Sequence, residues 1–358
     1  MKCCDFVADM LIFAYDTVTS CCVTPVNKES PPKLLYKMGE LSRVRSPEVI
    51  LDMIVATRTH WYMSDHVGRN AGCQSCVFYK DFDYGQLMDR RFKFKRLNAN
   101  HVENCNLICT YCYQAHPDYN RRKPKQLYRL PPLIRAMLQR ELLDPTGDVM
   151  FGGGEPTLGD DFEELVTMFD QIGLAQNVNT NAVRYSTALE AAMRNNSDRT
   201  LVTVSIDAGT RDTYALVKGA DVFDQVVRHV GRYSETGGRI RVKYIILPDN
   251  CREIEMLIER LAGMKLVEFS LDFDCGILGH PSYGDELWEL ADRAAERARA
   301  LGLRTGWNGY SRPMMTDAQI ARAERLNRAE DQHLFAASAA EIAAVAPQQN
   351  ASEVAARA

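Results

Sequence analysis

Leu201-Val202-Thr203-Val204-Ser205-Ile206-Asp207 reads as a strand with two unlike faces. Side chains alternate along a strand, so Val202, Val204 and Ile206 point one way and Thr203, Ser205 and Asp207 the other. The pattern recurs downstream. In Arg239–Leu247, Ile240, Val242, Tyr244 and Ile246 oppose Arg239, Arg241 and Lys243. In Leu266–Asp274, Val267, Phe269, Leu271 and Phe273 oppose Glu268, Ser270, Asp272 and Asp274. Upstream, Gln176–Asn181 gathers Asn177, Asn179 and Asn181 on one face, and Phe92–Asn98 and Asp148–Gly152 are further strand candidates. Helix-like stretches separate them: Lys125–Leu143, Asp161–Ile172, Ser186–Asn195, Asp221–Ser234 and Ile254–Met264, with Asp285–Leu301 after the last strand. Strands joined by crossovers of this length form a parallel sheet with right-handed connections. A closed eight-stranded barrel fills its interior with branched apolar side chains, and a doubly wound sheet buries both faces. Four strands that each keep a polar face match neither. The expected fold is α/β: a partial (β/α)6 TIM-like barrel, helices outside, with a polar interior able to hold a sizeable polar ligand.

The chain has 358 residues, 46% apolar and 25% charged, with a net charge of −4. That is the balance of a globular protein and gives no electrostatic signature of nucleic-acid binding. No apolar run approaches the roughly 20 residues of a membrane helix. Asp5, Asp9 and Asp16 break the N-terminal apolar stretch, which does not read as a signal peptide. A cytoplasmic protein is expected, with no membrane contact. Three regions are expected: a cysteine-rich α+β module over 1–92, the barrel over 93–307, and over 308–358 a helix running into a disordered tail poor in large apolar residues. Eleven cysteines are many for a reducing compartment and point to metal or redox chemistry rather than disulfides.

Cys105-Asn106-Leu107-Ile108-Cys109-Thr110-Tyr111-Cys112 is a C-x3-C-x2-C motif just after the first barrel strand. Three thiolates so spaced can wrap one iron–sulfur cube and leave its fourth iron without a protein ligand, since such a cube ordinarily takes four thiolates. A zinc site completed by His101 or His116 is the alternative. Phe151-Gly152-Gly153-Gly154-Glu155-Pro156 ends the second strand. Glycines there let the backbone approach a ligand, and a carboxylate beside them can accept from an ammonium.

With these two motifs in this order, residues 93–280 resemble the radical S-adenosylmethionine (SAM) superfamily. The resemblance implies a [4Fe–4S] cluster on Cys105, Cys109 and Cys112 whose open iron chelates SAM. The reduced cluster splits the sulfonium, and the resulting 5′-deoxyadenosyl radical takes hydrogen from a substrate. It further implies that Tyr111 lies near the adenine and that Gly153, Gly154 and Glu155 contact the methionyl amino group. Asn179, with Thr180 and Asn181, supplies polar contacts, and Ser205, Asp207 and Lys243 reach the ribose or carboxylate of SAM. A hydrated barrel mouth is the plainer account of any one of these polar residues.

The N-terminal cysteines resemble a twitch or SPASM-like module, although such modules more often follow the barrel. The resemblance implies a second, auxiliary [4Fe–4S] cluster on Cys4, Cys21, Cys73 and Cys76, with Cys3 and Cys22 as alternatives. A zinc ribbon or buried thiols compete. Asp272, Asp274 and Cys275, at the end of the sixth strand, are candidates for passing a proton or a hydrogen atom. Basic residues flank the cysteine loop: Arg90, Arg91, Lys93, Lys95 and Arg96 before it, and Arg121, Arg122, Lys123 and Lys125 after it. They are a solvated face or a dock for an acidic flavodoxin- or ferredoxin-like reductant. The expected function is an enzyme that oxidises, epimerises or rearranges a small molecule or peptide. The competing functions are a noncatalytic iron–sulfur protein for electron transfer or redox sensing, and a zinc-stabilised binding module.

Overall fold

The two-faced stretches become strands and the amphipathic ones helices in a computed structural model that describes residues 2–4, 9–20, 34–38, 45–63, 79–81, 93–112, 126–274, 284–307 and 315–326. The chain divides into two compact units.

The first unit comprises residues 1–105, 120–179 and 186–200. Its strands are β1 (Lys2–Cys4), β2 (Met10–Ala14), β3 (Thr17–Thr19), β4 (Leu34–Lys37), β5 (Tyr79–Asp81), β6 (Phe94–Asn100), β7 (Leu143–Phe151) and β8 (Ala175–Thr180). Its helices are α1 (Pro47–Met63), α2 (Pro131–Gln139), α3 (Phe162–Gln171) and α4 (Thr187–Asn195). β6, β7 and β8 pair in parallel. α2 begins later than expected because Pro131 and Pro132 suit a first turn, where their missing N–H groups leave no bond unmade. The Ser186 side chain caps α4 by accepting from Leu189 N.

The expected boundary at residue 92 does not hold for the sheet. β2 lies parallel against β6, from Met10 opposite Arg96 to Ala14 opposite Asn100, and β3 and β4 continue antiparallel beyond it. The reason is in the side chains: Met10, Leu11, Ile12 and Phe13 are each at most 7% exposed. A strand apolar on both faces shows no alternation and belongs inside a covered sheet. β1 and β5 form a separate antiparallel pair.

The second unit comprises residues 106–119, 180–185 and 201–358. Its strands are β9 (Thr200–Ser205), β10 (Arg239–Ile246), β11 (Glu268–Phe273) and β12 (Thr305–Trp307), all paired in parallel. Its helices are α5 (Arg211–Lys218), α6 (Phe223–Ser234), α7 (Ile254–Leu261), α8 (Asp285–Ala300) and α9 (Asp317–Glu324). α5 and β12 were not anticipated, being only 8 and 3 residues long. Val202, Val204, Ile206, Ile240, Val242, Tyr244 and Ile246 are fully buried, as the alternation requires. Thr203, Ser205, Arg241 and Lys243 on the opposite faces keep partial access to solvent.

β11 departs from this pattern, because Glu268, Ser270 and Asp272 are buried as well. Ion pairs cross from the neighbouring strand: Arg241 Nε lies 2.9 Å from Glu268 Oε1, and Lys243 Nζ lies 3.9 Å from Asp272 Oδ2. On the other side Gly306 of β12 presses on Glu268, where an added Cβ would stand 2.6 Å from the carboxyl carbon. The polar face of β11 is thus filled by charge pairs rather than left open. The fold class is α/β with largely parallel pairing, that of a partial TIM-like barrel. Among the described residues no helix is long and apolar enough to cross a membrane.

Candidate active site

In the first unit, the turn after β7 lies backbone to backbone on the segment that enters the cysteine loop. Gly154 N donates to Val102 O and Glu155 N to Asn104 O, each at 2.8 Å. Gly153 takes a left-handed φ of 95°, which glycine adopts without the penalty a Cβ brings. A Cβ on Gly154 would lie 2.3 Å from Asn104 O and 2.4 Å from Glu103 O. The glycines are therefore a cradle that no other residue fits. Glu155 is buried, and its Oε1 accepts from Thr157 N at 3.2 Å and Thr157 Oγ1 at 2.6 Å. Asn179 is exposed on β8, its Nδ2 donating to Phe151 O at 3.4 Å.

Beneath the cradle is a hub that the sequence did not announce. Asp161 is fully buried and meets His101 Nε2 at 3.0 Å, Gln126 Nε2 at 2.7 Å and Leu130 N at 2.8 Å. Burial alone would push its carboxyl up. The hydrogen bond and charge of His101, with the bonds from Leu130 and Gln126, outweigh that and hold it below its ordinary value. One carboxylate thus ties the chain before Cys105 to the chain at 126–130. Asp161→Ala strips three donors, two of them buried, of their acceptor and is expected to cost about 3 kcal/mol, seen as a lower Tm at pH 7. Because the folded carboxyl sits below its unfolded value, its contribution is complete above about pH 4 and is lost as pH falls through the folded pKa. The gap between wild type and variant should therefore close in acid. A constant gap down to pH 2 would refute the charge-based role.

In the second unit, the cysteine loop docks on the C-terminal end of α5. Ile108 N donates to Lys218 O at 3.0 Å and Thr110 N to Val217 O at 2.9 Å, so Cys109 is bracketed by two backbone bonds. Cys112 N turns back to Cys109 O at 3.1 Å. Gly219 ends α5 with a left-handed φ of 74°, and a Cβ there would stand 2.9 Å from Ile108 O. Asn181 Nδ2 donates to Asn106 Oδ1 at 2.7 Å.

Asp207 follows β9 with a left-handed φ of 56°, a strained conformation for a non-glycine residue. Asn250 Nδ2 holds its carbonyl at 2.9 Å. The carboxylate is fully buried. Its Oδ1 accepts from Ile245 N at 2.6 Å. Its Oδ2 accepts from Tyr111 OH at 2.5 Å, from Ser205 Oγ at 2.8 Å and from Lys218 Nζ. Lys218 Nζ also donates to Tyr111 OH at 2.7 Å. Both oxygens of Asp207 are thus engaged within the protein, and a contact with SAM would cost one of these bonds. Burial, reinforced by the Asp207 charge, holds the Tyr111 hydroxyl well above the ordinary phenol range. Burial likewise pushes the Cys109 thiol up, with Lys218 opposing and Asp207 adding. Lys243 is half-buried with its Asp272 partner.

Lys218, which ties Asp207 to Tyr111, is the member of this cluster that sequence inspection passed over. A lysine in a last turn before glycine reads as an ordinary solvated helix end. The available signal was spacing: Tyr214, Val217 and Lys218 share the face of α5 that is buried.

Cys105, Cys109 and Cys112 are half-buried and none is in a disulfide. Three reduced, reachable thiols within eight residues of chain fit an iron–sulfur cluster. Among the described residues no three His, Cys, Asp or Glu side chains meet closely enough to hold a single metal ion. His101, an alternative zinc ligand, directs Nε2 at Asp161. Cys3 and Cys4 lie on β1 opposite Lys80 and Tyr79. Cys21, Cys22, Cys73, Cys76, Cys275 and His116 lie outside the described residues, as do Arg90, Arg91 and the basic run 121–125.

Residues 99–261 match the model of the radical SAM superfamily. That stretch, somewhat under half of the chain, is similar to a radical SAM domain. Its curated relatives include the GTP 3′,8-cyclase of Haemophilus influenzae (strain PittGG), 25% identical over 202 residues, covering 53% of this chain and 58% of that protein. The probable GTP 3′,8-cyclase of Pyrococcus abyssi is 26% identical over 183 residues, covering 49% of this chain and 56% of that protein. The chain thus spans little more than half the length of these relatives. Similar solved structures include Streptococcus suis SuiB bound to S-adenosylmethionine (TM-score 0.48, 15% identity, 71% of this chain and 62% of that one). Another is anSMEcpe with bound AdoMet (TM-score 0.45, 21% identity, 60% of this chain and 64% of that one).

Proposed function

We propose that this protein is a radical SAM enzyme: it cleaves SAM reductively and uses the 5′-deoxyadenosyl radical to abstract hydrogen from a small molecule or peptide. The observation that carries this reading is the three reduced thiols of Cys105, Cys109 and Cys112 on a loop anchored at both flanks of Cys109. They would hold a [4Fe–4S] cluster, which supplies a single electron to the sulfonium of SAM. The candidate residues have separable tasks. Gly153 and Gly154 let the turn close on the backbone of 102–104 and, with the buried carboxylate of Glu155, would contact the methionyl ammonium. Asn179, Ser205 and Lys243 offer polar contacts from strand positions that keep access to solvent, while Tyr111 and Asp207 hold the loop from within. Asp272, or Asp274 beside it, would receive a proton from the substrate. An auxiliary [4Fe–4S] cluster on Cys4, Cys21, Cys73 and Cys76, with Cys3 and Cys22 as alternatives, belongs to the same reading. So does an acidic flavodoxin- or ferredoxin-like reductant docking on the basic residues around the loop. The name of the relatives makes GTP one of the substrates to assay.

The test is anaerobic reconstitution with iron and sulfide, iron counting, and an assay for 5′-deoxyadenosine with dithionite and SAM. About eight irons per chain are expected if both clusters form and about four if only the first does. Either count with deoxyadenosine formed supports the enzyme. Iron uptake without SAM cleavage under any reductant would favour a noncatalytic electron-transfer or redox-sensing protein.

A further inference from the structure

We propose that Lys218 and Asp207 form a buried charge pair that sets the electric field at the cysteine loop, and with it the reduction potential of the cluster held there. The inference rests on the cluster reading above and adds to it a residue pair that tunes electron acceptance.

Lys218 is 2% exposed and Asp207 0%, so neither charge is screened by solvent. Such a pair is a poor source of stability: replacing it by apolar groups of similar volume is often neutral or favourable, because both ions lose their hydration. Its presence calls for another account, and its wiring supplies one. Lys218 reaches the loop twice, through its carbonyl to Ile108 N and through its Nζ to Tyr111 OH. Asp207 reaches it through Tyr111 OH. The two charges are therefore tied to residues on either side of Cys109. Four donors hold the carboxylate: Ile245 N, Tyr111 OH, Ser205 Oγ and Lys218 Nζ. The field is thus fixed in advance and does not relax when charge arrives.

Reduction adds one negative charge to the cluster. A nearby cation favours the reduced form and a nearby anion disfavours it, more strongly where little water intervenes. Potentials of such clusters follow the charge and hydrogen bonding around their sulfurs. A pair that merely props the loop behaves differently. Removing either partner would then loosen the same segment, and both losses would act in one direction.

The experiment is an EPR-monitored redox titration of the reconstituted full-length protein, wild type against Lys218→Met, Asp207→Asn and the double variant. Lys218→Met should move the midpoint of the SAM cluster to a more negative potential. Asp207→Asn should move it to a less negative one. The double variant, which leaves no unpaired charge, should return close to wild type, and Lys218→Arg should resemble wild type. Shifts of the same sign in both single variants, or none in either, overturn the proposal. Loss of cluster uptake in both single variants also overturns it, since the pair would then serve the fold. Should Lys218→Met alone fail to fold, Asp207→Asn decides: a midpoint at or below the wild type's refutes the field. Wild-type protein that takes up no iron or cleaves no SAM is a separate outcome, which removes the enzymatic reading itself.

Discussion

Protein with Cys105, Cys109 and Cys112 all changed to alanine is expected to bind about four fewer irons per chain than wild type and to form no detectable 5′-deoxyadenosine. The fold should persist. The three side chains are half-buried and not in disulfides, so their sulfurs close no covalent loop. The bonds that seat the loop come from the backbone at Ile108 and Thr110, which the substitutions leave in place. A circular dichroism spectrum and Tm close to those of wild type, together with the lost irons, would place the effect on the cluster. Residual SAM cleavage would mean that the electron enters elsewhere, and the motif would lose its assigned role. If the auxiliary cluster exists, the irons that remain in this variant report it directly.

Gly154→Ala is expected to lower SAM cleavage by at least tenfold and stability by about 2 kcal/mol, the scale of forcing one methyl into a closed space. The added Cβ would stand 2.3 Å from Asn104 O, a distance that nonbonded carbon and oxygen do not tolerate. Relief requires the turn to retreat, yet Gly154 N and Glu155 N are bonded to the segment after β6 that it would retreat from. Either the two hydrogen bonds break or Glu155 is carried away from its place. Gly173→Ala is the control. It has a left-handed φ, 66°, but nothing stands within 4 Å of its added Cβ. Its cost should be about 1 kcal/mol from backbone strain alone, with SAM cleavage intact. Equal effects of the two substitutions on cleavage would mean that the cradle is not a binding surface.

The contrast shows what one-dimensional reading captures. Val202, Val204 and Ile206 against Thr203 and Ser205 announce a strand because alternation is a local property, carried by neighbours in the chain. The cysteine motif is legible for the same reason, since its three thiols lie within eight residues of sequence. Asp161 and Lys218 were not legible. Their importance comes from partners at His101, Gln126 and Tyr111, between 35 and 107 positions away in the chain. β2 escaped because burial of both its faces erases the alternation that marks a strand. Asp207 was picked out as a polar strand-end residue facing ligand. The left-handed turn at 207 instead gives its carboxylate to Ile245, Tyr111, Ser205 and Lys218, a redirection that no residue pattern reveals.

The parallel seat of β2 against β6 has a consequence for how this chain is made. Met10 must wait for Arg96, synthesised more than eighty residues later, before its backbone finds a partner. Closing a loop of that size costs about 4 kcal/mol in chain entropy, and beforehand β2 has only the short pairing of Ile12 and Phe13 with β3. During that interval the growing chain presents Met10-Leu11-Ile12-Phe13 uncovered, a short apolar β-former of the kind that holdase chaperones retain and that pairs wrongly with copies of itself. The yield of this protein in a host should therefore depend on how slowly translation runs and how well nascent chains are shielded, quite apart from the supply of iron and sulfide.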